Sequence, residues 1–421
     1  MKTILVKGPI LSRSGYGEQA RFALRALRKH EDRFNILVQN ISWGATGWIA
    51  DNDEERQWYD HLMDKTAQYQ NQQLPIDMTL QITIPNEWEP VNGAYNVGYT
   101  AGIETTKVSL KWIEKANMMD KIIVVSNHAK NVYEKTVYKA VRQENNELLE
   151  LKATTPIQTV NYPVRDLKTE KVDIELEYDF NFLTVAQMGP RKNIENTIRW
   201  FIDEFHDDEV GLIVKTNIGN CSTADRFHTE VLFKQIVSQY PNKKCKIYLL
   251  HGDLSLPQMN YLYNHPKIKS YVTLTHGEGF GLPLFEAAYH GLPIIAPAWS
   301  GYLDFLVAPV KSGKQKKEKM RPLFSKVDYS LQKVPEEVVW QDVLIADSMW
   351  CVPSQSDYRK KLRDMFKNHA KYKGISNKLK KHVLTNFTEE TQYKAFADAV
   401  YQQADFDVDD WLSNLDLEVH E

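Results

Sequence analysis

The stretch His276-Gly277-Glu278-Gly279-Phe280-Gly281-Leu282-Pro283-Leu284-Phe285-Glu286 reads as a strand end, a glycine-rich turn and a helix start. The run Tyr271–Thr275 just before it alternates in the manner of a strand. Pro283 suits the first helical turn, where its missing N–H had no partner to lose. A glycine-rich turn that opens a helix presents free backbone N–H groups and the positive end of the helix dipole, which favours phosphate. Glu286 falls about one helical turn inside, where its carboxylate accepts hydrogen bonds from paired hydroxyls such as those of a ribose. Glu278, before the helix, is placed to grip a second polyol near the phosphate. Two such acceptors beside an anion site suit a nucleotide sugar better than a plain nucleotide. The plainer alternative is a turn kept glycine-rich for tight packing.

Outward from this stretch, short β-branched runs alternate with longer helical ones, the pattern of parallel sheets covered by helices. Candidate strands in the first half are Thr3–Lys7, Phe34–Gln39, Met78–Ile84, Tyr95–Thr100 and Lys121–Ser126. A second series comprises Phe182–Ala186, Gly211–Thr216, Lys246–Leu250, Tyr271–Thr275 and Pro293–Ala296. Candidate amphipathic helices are Glu18–Lys29, Asn193–Phe205, Ala224–Tyr240 and Leu282–His290. The reading is an α/β fold of two Rossmann-like domains, 1–165 and 166–387, with the hinge at Asn161-Tyr162-Pro163-Val164-Arg165. A helix from about 388 to 421 is expected to pack back on the first domain, its end turning acidic from Asp405 to Trp411.

Composition sets outer bounds. A length of 421 residues exceeds what one ordinary core serves, and 43% hydrophobic with 25% charged residues is ordinary for a packed globular chain. The net charge of −3 gives no global pull toward polyanions. Cys221, Cys245 and Cys351 are too sparse and scattered for a metal knuckle and read as free thiols of a reducing compartment. The run Met1–Gly8 is too short for a signal peptide, and no stretch reaches the roughly 18 apolar residues of a membrane span, so the expected location is the cytoplasm.

Four further segments carry candidate chemistry. Gly189-Pro190-Arg191-Lys192-Asn193 follows the first strand of the second series, and a lysine at the mouth of a parallel sheet can neutralise a phosphate. Alternatively Lys192 is an exposed cation beginning a helix. The loop Gly8–Glu18, with Gly15 and Gly17, directly follows the first strand; a lone Gly-x-Gly is by itself only a turn signal. Gly98–Lys107 ends another strand and brings Glu104, Thr105 and Thr106. Either Glu104 orients an acceptor hydroxyl or steadies an oxocarbenium ion, or the threonines cap a helix that begins near Ser109. His128, in Ser126-Asn127-His128, and Lys215, at a strand end, are further cleft candidates, with a helix-start structural role the alternative for His128.

The segment Glu278–Glu286 resembles the Glu-x7-Glu motif of the retaining, group 1 GT-B glycosyltransferases. That resemblance implies that Glu278 binds the donor sugar, Glu286 the nucleoside ribose, and the backbone of Phe280, Gly281 and Leu282 the diphosphate. It also implies that Lys192 contacts the diphosphate and that the loop at Gly15 and Gly17 lies over the donor phosphates. The family's arginine five positions before this lysine is Gln187 here. Either Arg191 supplies the guanidinium from another angle, or the leaving group is held with one charge fewer. Ser126 resembles the family's strand-to-helix serine. The implied activity is transfer of a sugar from a UDP- or GDP-sugar to an acceptor hydroxyl in a cleft between two domains.

No prosthetic group is implied, and metal independence is expected, because Asp51-Asn52-Asp53 has Asp-x-Asp spacing only within a polar stretch. The expected acceptor is a glycan or another hydroxyl compound. The basic loop Lys311–Arg321 raises an alternative, a DNA glycosyltransferase of the phage type acting on hydroxymethylated bases; as a charge run it also reads as a solvated insertion. A sugar-nucleotide epimerase of GT-B fold is the third reading.

Overall fold

The computed structural model describes residues 1–141, 148–312 and 317–401. The first sheet comprises β1 (Lys2–Gly8), β2 (Phe34–Asn40), β3 (Met78–Ile82), β4 (Tyr95–Thr100), β5 (Lys121–Val124) and, past the hairpin β6 (Val137–Val141)–β7 (Leu148–Lys152), β8 (Ile157–Thr159). Its order is β2-β1-β3-β4-β5-β8, all parallel. The second sheet holds β9 (Asn181–Val185), β10 (Gly211–Lys215), β11 (Lys246–Leu250), β12 (Ile268–Val272) and β13 (Ile294–Pro297). After the hairpin β14 (Val307–Ser312)–β15 (Lys317–Pro322), β16 (Ser325–Val327) completes it in the order β11-β10-β9-β12-β13-β16, again all parallel. A last hairpin joins β17 (Tyr329–Lys333) to β18 (Met349–Pro353). Parallel strands require crossover helices that bury both sheet faces, and the strand residues are accordingly apolar in runs, as in Leu212-Ile213-Val214.

The helices are α1 (Gly15–Arg28), α2 (Glu54–Asn71), α3 (Leu110–Ala116), α4 (Asn127–Lys135), α5 (Ile194–Phe205), α6 (Thr223–Val237), α7 (Leu256–Asn264), α8 (Leu282–His290), α9 (Leu303–Leu306), α10 (Gln355–Lys367), α11 (His369–Asn386) and α12 (Glu389–Val400). In α5 the residues Ile194, Ile198, Phe201, Ile202 and Phe205 share one buried face at helical spacing. α12, far along the chain, lies against α1: Phe22 meets Phe396 edge-on at 5.1 Å, and Arg33 pairs with Asp398 at 2.8 Å. No helix among the described residues is long and apolar enough to cross a membrane. The acidic run from Asp405 to Trp411, and the rest of the expected helix beyond Tyr401, lie outside the described residues.

Several local expectations are corrected. The strand read at Tyr271–Thr275 runs Ile268–Val272 instead. Past Thr273 the chain leaves the ladder, and the Thr275 hydroxyl turns to the Gly277 carbonyl and the Glu278 carboxylate. The basic loop at 311–321 is largely an antiparallel ribbon, β14–β15, in which Lys311 faces Glu318 across the pair. Its Lys-rich composition hides the alternation, and Lys314 and Lys316 lie outside the described residues. Asp51 and Asp53, for which no metal role was expected, have separate partners: Asp53 caps α2 and Asp51 pairs with Arg13. Thr105 and Thr106 cap no helix, since Ser109 accepts the Trp112 N–H at the start of α3.

Candidate active site

The glycine-rich turn lies between β12 and α8 at the carboxyl edge of the second sheet, where parallel sheets place their loops. Gly281 adopts φ +92°, a left-handed conformation that swings the chain into α8. Pro283 stands in the first turn of that helix. Gly277 and Gly279 are required by close approach. A Cβ on Gly277 would lie 2.1 Å from the Glu104 carbonyl oxygen, and one on Gly279 would lie 2.3 Å from that of Ala101. The turn therefore rests directly on the segment that follows β4 of the other sheet. Gly279→Ala is expected to force these backbones apart, destabilising the chain by about 1–3 kcal/mol or more and lowering the melting temperature in a thermal scan.

Four sequence candidates converge beneath this turn. The Glu278 carboxylate accepts from Lys192 Nζ at 2.7 and 2.8 Å, from Arg191 Nη1 at 3.1 Å and from Thr275 Oγ1 at 2.9 Å. Arg191 Nη2 reaches across to Glu104 Oε1 at 3.2 Å, and its Nη1 also donates to the Gly277 carbonyl at 2.6 Å. Burial alone would push the Glu278 carboxyl upward, but Lys192 and Arg191 hold it down at about 2. Burial and the Arg191 charge depress Lys192, against the pull of Glu278. The Arg191 guanidinium, though buried, is raised by Glu104 and Glu278. Arg191 and Lys192 sit in the short 3₁₀ turn Pro190–Lys192, and Asn193, with φ +54°, leads from it into α5. The result is a charge-balanced quartet of two cations and two carboxylates, with one carboxylate contributed from the first sheet.

Glu286 makes its contacts elsewhere. It lines a narrow crevice of only about 10 Å³ between α8, α1 and the 162–165 segment, with Glu18, Arg25, Tyr162, Arg165 and Leu282 among its neighbours. Its Oε2 accepts from Tyr263 at 2.8 Å, and burial raises its carboxyl to about 7 against that bond and the Arg165 charge. Glu18 itself is paired with Arg21, Arg25 and Arg165. Phe280 turns its ring into the core against Tyr162, Phe285 and Phe305, leaving only its backbone at the turn. Gly15 opens α1, and the Gly17 N–H donates to the N-cap Ser14 at 3.0 Å.

His128, in the first turn of α4 behind its cap Ser126, packs edge-on against Trp299 at 5.1 Å. Burial lowers its pKa to about 4, so the ring is neutral. Lys215 ends β10 and donates to the Gly252 carbonyl at 2.6 Å. Gln187 is spent on the Ile218 carbonyl at 2.6 Å.

Some site residues gave no local signal. Ser300 Oγ accepts the Glu278 N–H at 2.9 Å. His276 stacks on Trp350 at 4.2 Å, and the Cys351 N–H donates to its carbonyl. β18 continues to the first sheet's loop, where Thr106 N–H donates to the Met349 carbonyl at 2.9 Å and Lys107 pairs with Asp347. A strand more than 70 residues downstream in sequence thus ties the Glu104 and Glu278 loops together. Among the described residues, no group of three or more His, Cys, Asp or Glu side chains is placed to hold a metal ion.

No protein-family model matches the sequence, and no curated protein does. Solved structures do match. The sucrose-phosphate synthase of Thermosynechococcus elongatus aligns over 94% of this chain and 98% of its own, at 11% identity and TM-score 0.59. Anabaena Alr3699/HepE, in complex with UDP and glucose, aligns over 94% and 99%, at 11% identity and TM-score 0.56. The pneumococcal O-GlcNAc transferase GtfA, in complex with UDP and GlcNAc, aligns over 80% of this chain at 13% identity and TM-score 0.48, and the chain spans 60% of its length. The first two likenesses extend over both sheets, and the arrangement is the GT-B fold of two Rossmann-like units.

Proposed function

We propose that this chain is a glycosyltransferase that moves a sugar from a UDP-sugar to an acceptor hydroxyl, with retention and without a metal. The observation that carries the reading is the Glu278 carboxylate, kept ionised by Lys192 and Arg191 at the amino end of α8 and faced by Glu104 from the other sheet. In this reading Glu278 accepts hydrogen bonds from the sugar, and the free first-turn N–H groups of α8 with Lys192 stabilise the departing diphosphate. Glu104 steadies the developing oxocarbenium ion or orients the acceptor hydroxyl. Glu286 accepts from the ribose, and contact of the two halves excludes water that would otherwise hydrolyse the donor. The fold supports the reading, and HepE holds UDP and glucose. The acceptor of this reading is a glycan or similar hydroxyl compound. Among the described residues no observation supports a DNA acceptor; in the basic ribbon Lys311 lies 3.8 Å from Glu318.

The test is incubation with a panel of nucleotide sugars, read by mass spectrometry. Slow hydrolysis of one UDP-sugar without acceptor, faster turnover with a glycan acceptor and a retained anomeric configuration are expected, all unchanged by EDTA. Interconversion of the donor to its C2 epimer would replace this reading with an epimerase, and loss of turnover in EDTA would overturn its metal-free step.

A further inference from the structure

The outer edge of the second sheet is open. β11 stands at its end and pairs with β10, so the other side of its backbone has no partner strand among the described residues. Beside it α6 turns Arg226, Glu230, Phe233 and Val237, one stripe at helical spacing, toward Leu249 and Leu250. Between helix and strand runs a groove of about 900 Å³. A neighbouring stripe of α6 is apolar and faces outward: Phe227 is 64% exposed, and Val231 and Leu232 are exposed with it. A helix covering a sheet ordinarily turns such residues inward, and apolar side chains left together on a surface mark a contact site. The groove is also positive. Arg226 is matched by Glu230 at 2.9 Å, whereas Lys234 and Lys243 have no carboxylate partner among the described residues.

The sequence beyond the described residues carries the complement. Asp405-Phe406-Asp407-Val408-Asp409 alternates acid with apolar residue, the period of a strand that has one apolar face, and residues 402–421 contain no lysine or arginine. This stretch falls short of the groove of its own chain. The Tyr401 carbonyl accepts from Arg33, which precedes β2 at the amino end of the first sheet. The second half meets the first at the opposite end, where a Cβ on Gly219 would stand 3.8 Å from the Ala45 carbonyl oxygen. β2 alone spans about 20 Å, and Asp405 extends at most about 14 Å beyond Tyr401. We propose that the groove between α6 and β11 receives the Asp405–Asp409 stretch of a second copy of this chain, added along the free edge of β11, and that reciprocal exchange makes a two-fold dimer. Phe406 and Val408 cover Phe233 and Leu249, and the aspartates come within reach of Lys234 and Lys243. Main-chain bonds along the edge supply affinity, and the alternate side chains supply selectivity.

The test is light scattering of the full chain over a concentration series, at low and high salt. Wild type is expected to be a dimer at tens of micromolar and to dissociate more readily as salt rises. Phe406→Ser/Val408→Ser changes only the inserted stretch, and Lys234→Glu/Lys243→Glu changes only two surface cations. Each is expected to weaken association at least about tenfold with the circular dichroism of wild type. Combining Lys234→Glu/Lys243→Glu with Asp405→Lys/Asp407→Lys is expected to restore the dimer. A wild type that stays monomeric at these concentrations, a dimer that survives either variant, or no restoration in the charge-swapped chain would overturn the proposal. Hydrogen exchange of the dilute monomer covers the remaining case. Amides of β11 are expected to exchange faster there than in the dimer, and equal protection in both would put the chain's own segment in the groove and overturn the exchange between copies.

Discussion

Glu278→Gln is expected to lower sugar transfer at least about a hundredfold and to destabilise the chain by about 3 kcal/mol. The substitution keeps the shape but removes a charge on which two buried cations depend. Lys192 and Arg191 both bond to that carboxylate, and removing one partner of a buried pair strands the other. The amide nitrogen of Gln would also face donors only. Because Glu278 is held at about 2 in the folded chain against an ordinary 4.5, its stabilisation is complete above about pH 4.5 and is lost as pH falls toward 2. Thermal melts at pH 7 and pH 3 check this, with the difference between wild type and variant shrinking at the lower pH. The companion variant Glu278→Gln/Lys192→Met removes the stranded cation, itself assigned to the departing diphosphate. It is expected to regain stability and no activity; recovery of both would reduce Glu278 to a structural counter-ion.

Glu286→Gln is expected to do the opposite to stability. Burial raises this carboxyl from 4.5 to about 7 in the folded chain. A group raised on folding costs nothing while protonated in both states, below about pH 4.5. Its penalty grows between 4.5 and 7 and is complete above 7. Gln carries no such penalty, so the variant should be more stable than wild type at pH 8, by at most about 3 kcal/mol, and nearly equal at pH 4.5. An ionised carboxylate accepts from both ribose hydroxyls and more strongly than an amide, so the same variant should bind UDP at least about tenfold more weakly at pH 8. Wild-type affinity should rise with pH through about 7. Calorimetric melts and UDP titrations at the two pH values read both effects. A variant that is more stable yet binds UDP as wild type does would remove Glu286 from the donor site and leave it a buried acid held by Tyr263. Residues that cost stability where they stand are common at functional sites.

Much of the architecture is local in origin and was legible. β-Branched runs read as strands because branched side chains suit a pleated, buried surface, and each of the ten anticipated strands has a counterpart near its place. Pro283 and the left-handed Gly281 mark the start of α8, and Gly291, with φ +74°, its end. Element ends were less legible. The departure of the chain from β12 after Val272 depends on what the Thr275 hydroxyl meets, and that is decided outside the strand.

By itself the sequence determined the alternation of strand and helix, hence two parallel sheets, and which acids and cations stand at their carboxyl edges. Those are consequences of side-chain shape and backbone freedom within a few residues. Only the tertiary structure decided the partners. Arg191 meets Glu104 and Glu278, each nearly ninety residues away in opposite directions along the chain. His276 meets Trp350, and Arg13 meets Asp253. It also separated Glu278, bound among cations, from Glu286, buried beside Tyr263, although the two share one short motif. The physical reason is that charge and burial are properties of surroundings. Those surroundings form only when the turn at Gly277 and Gly279 comes to rest on the backbone of Ala101 and Glu104.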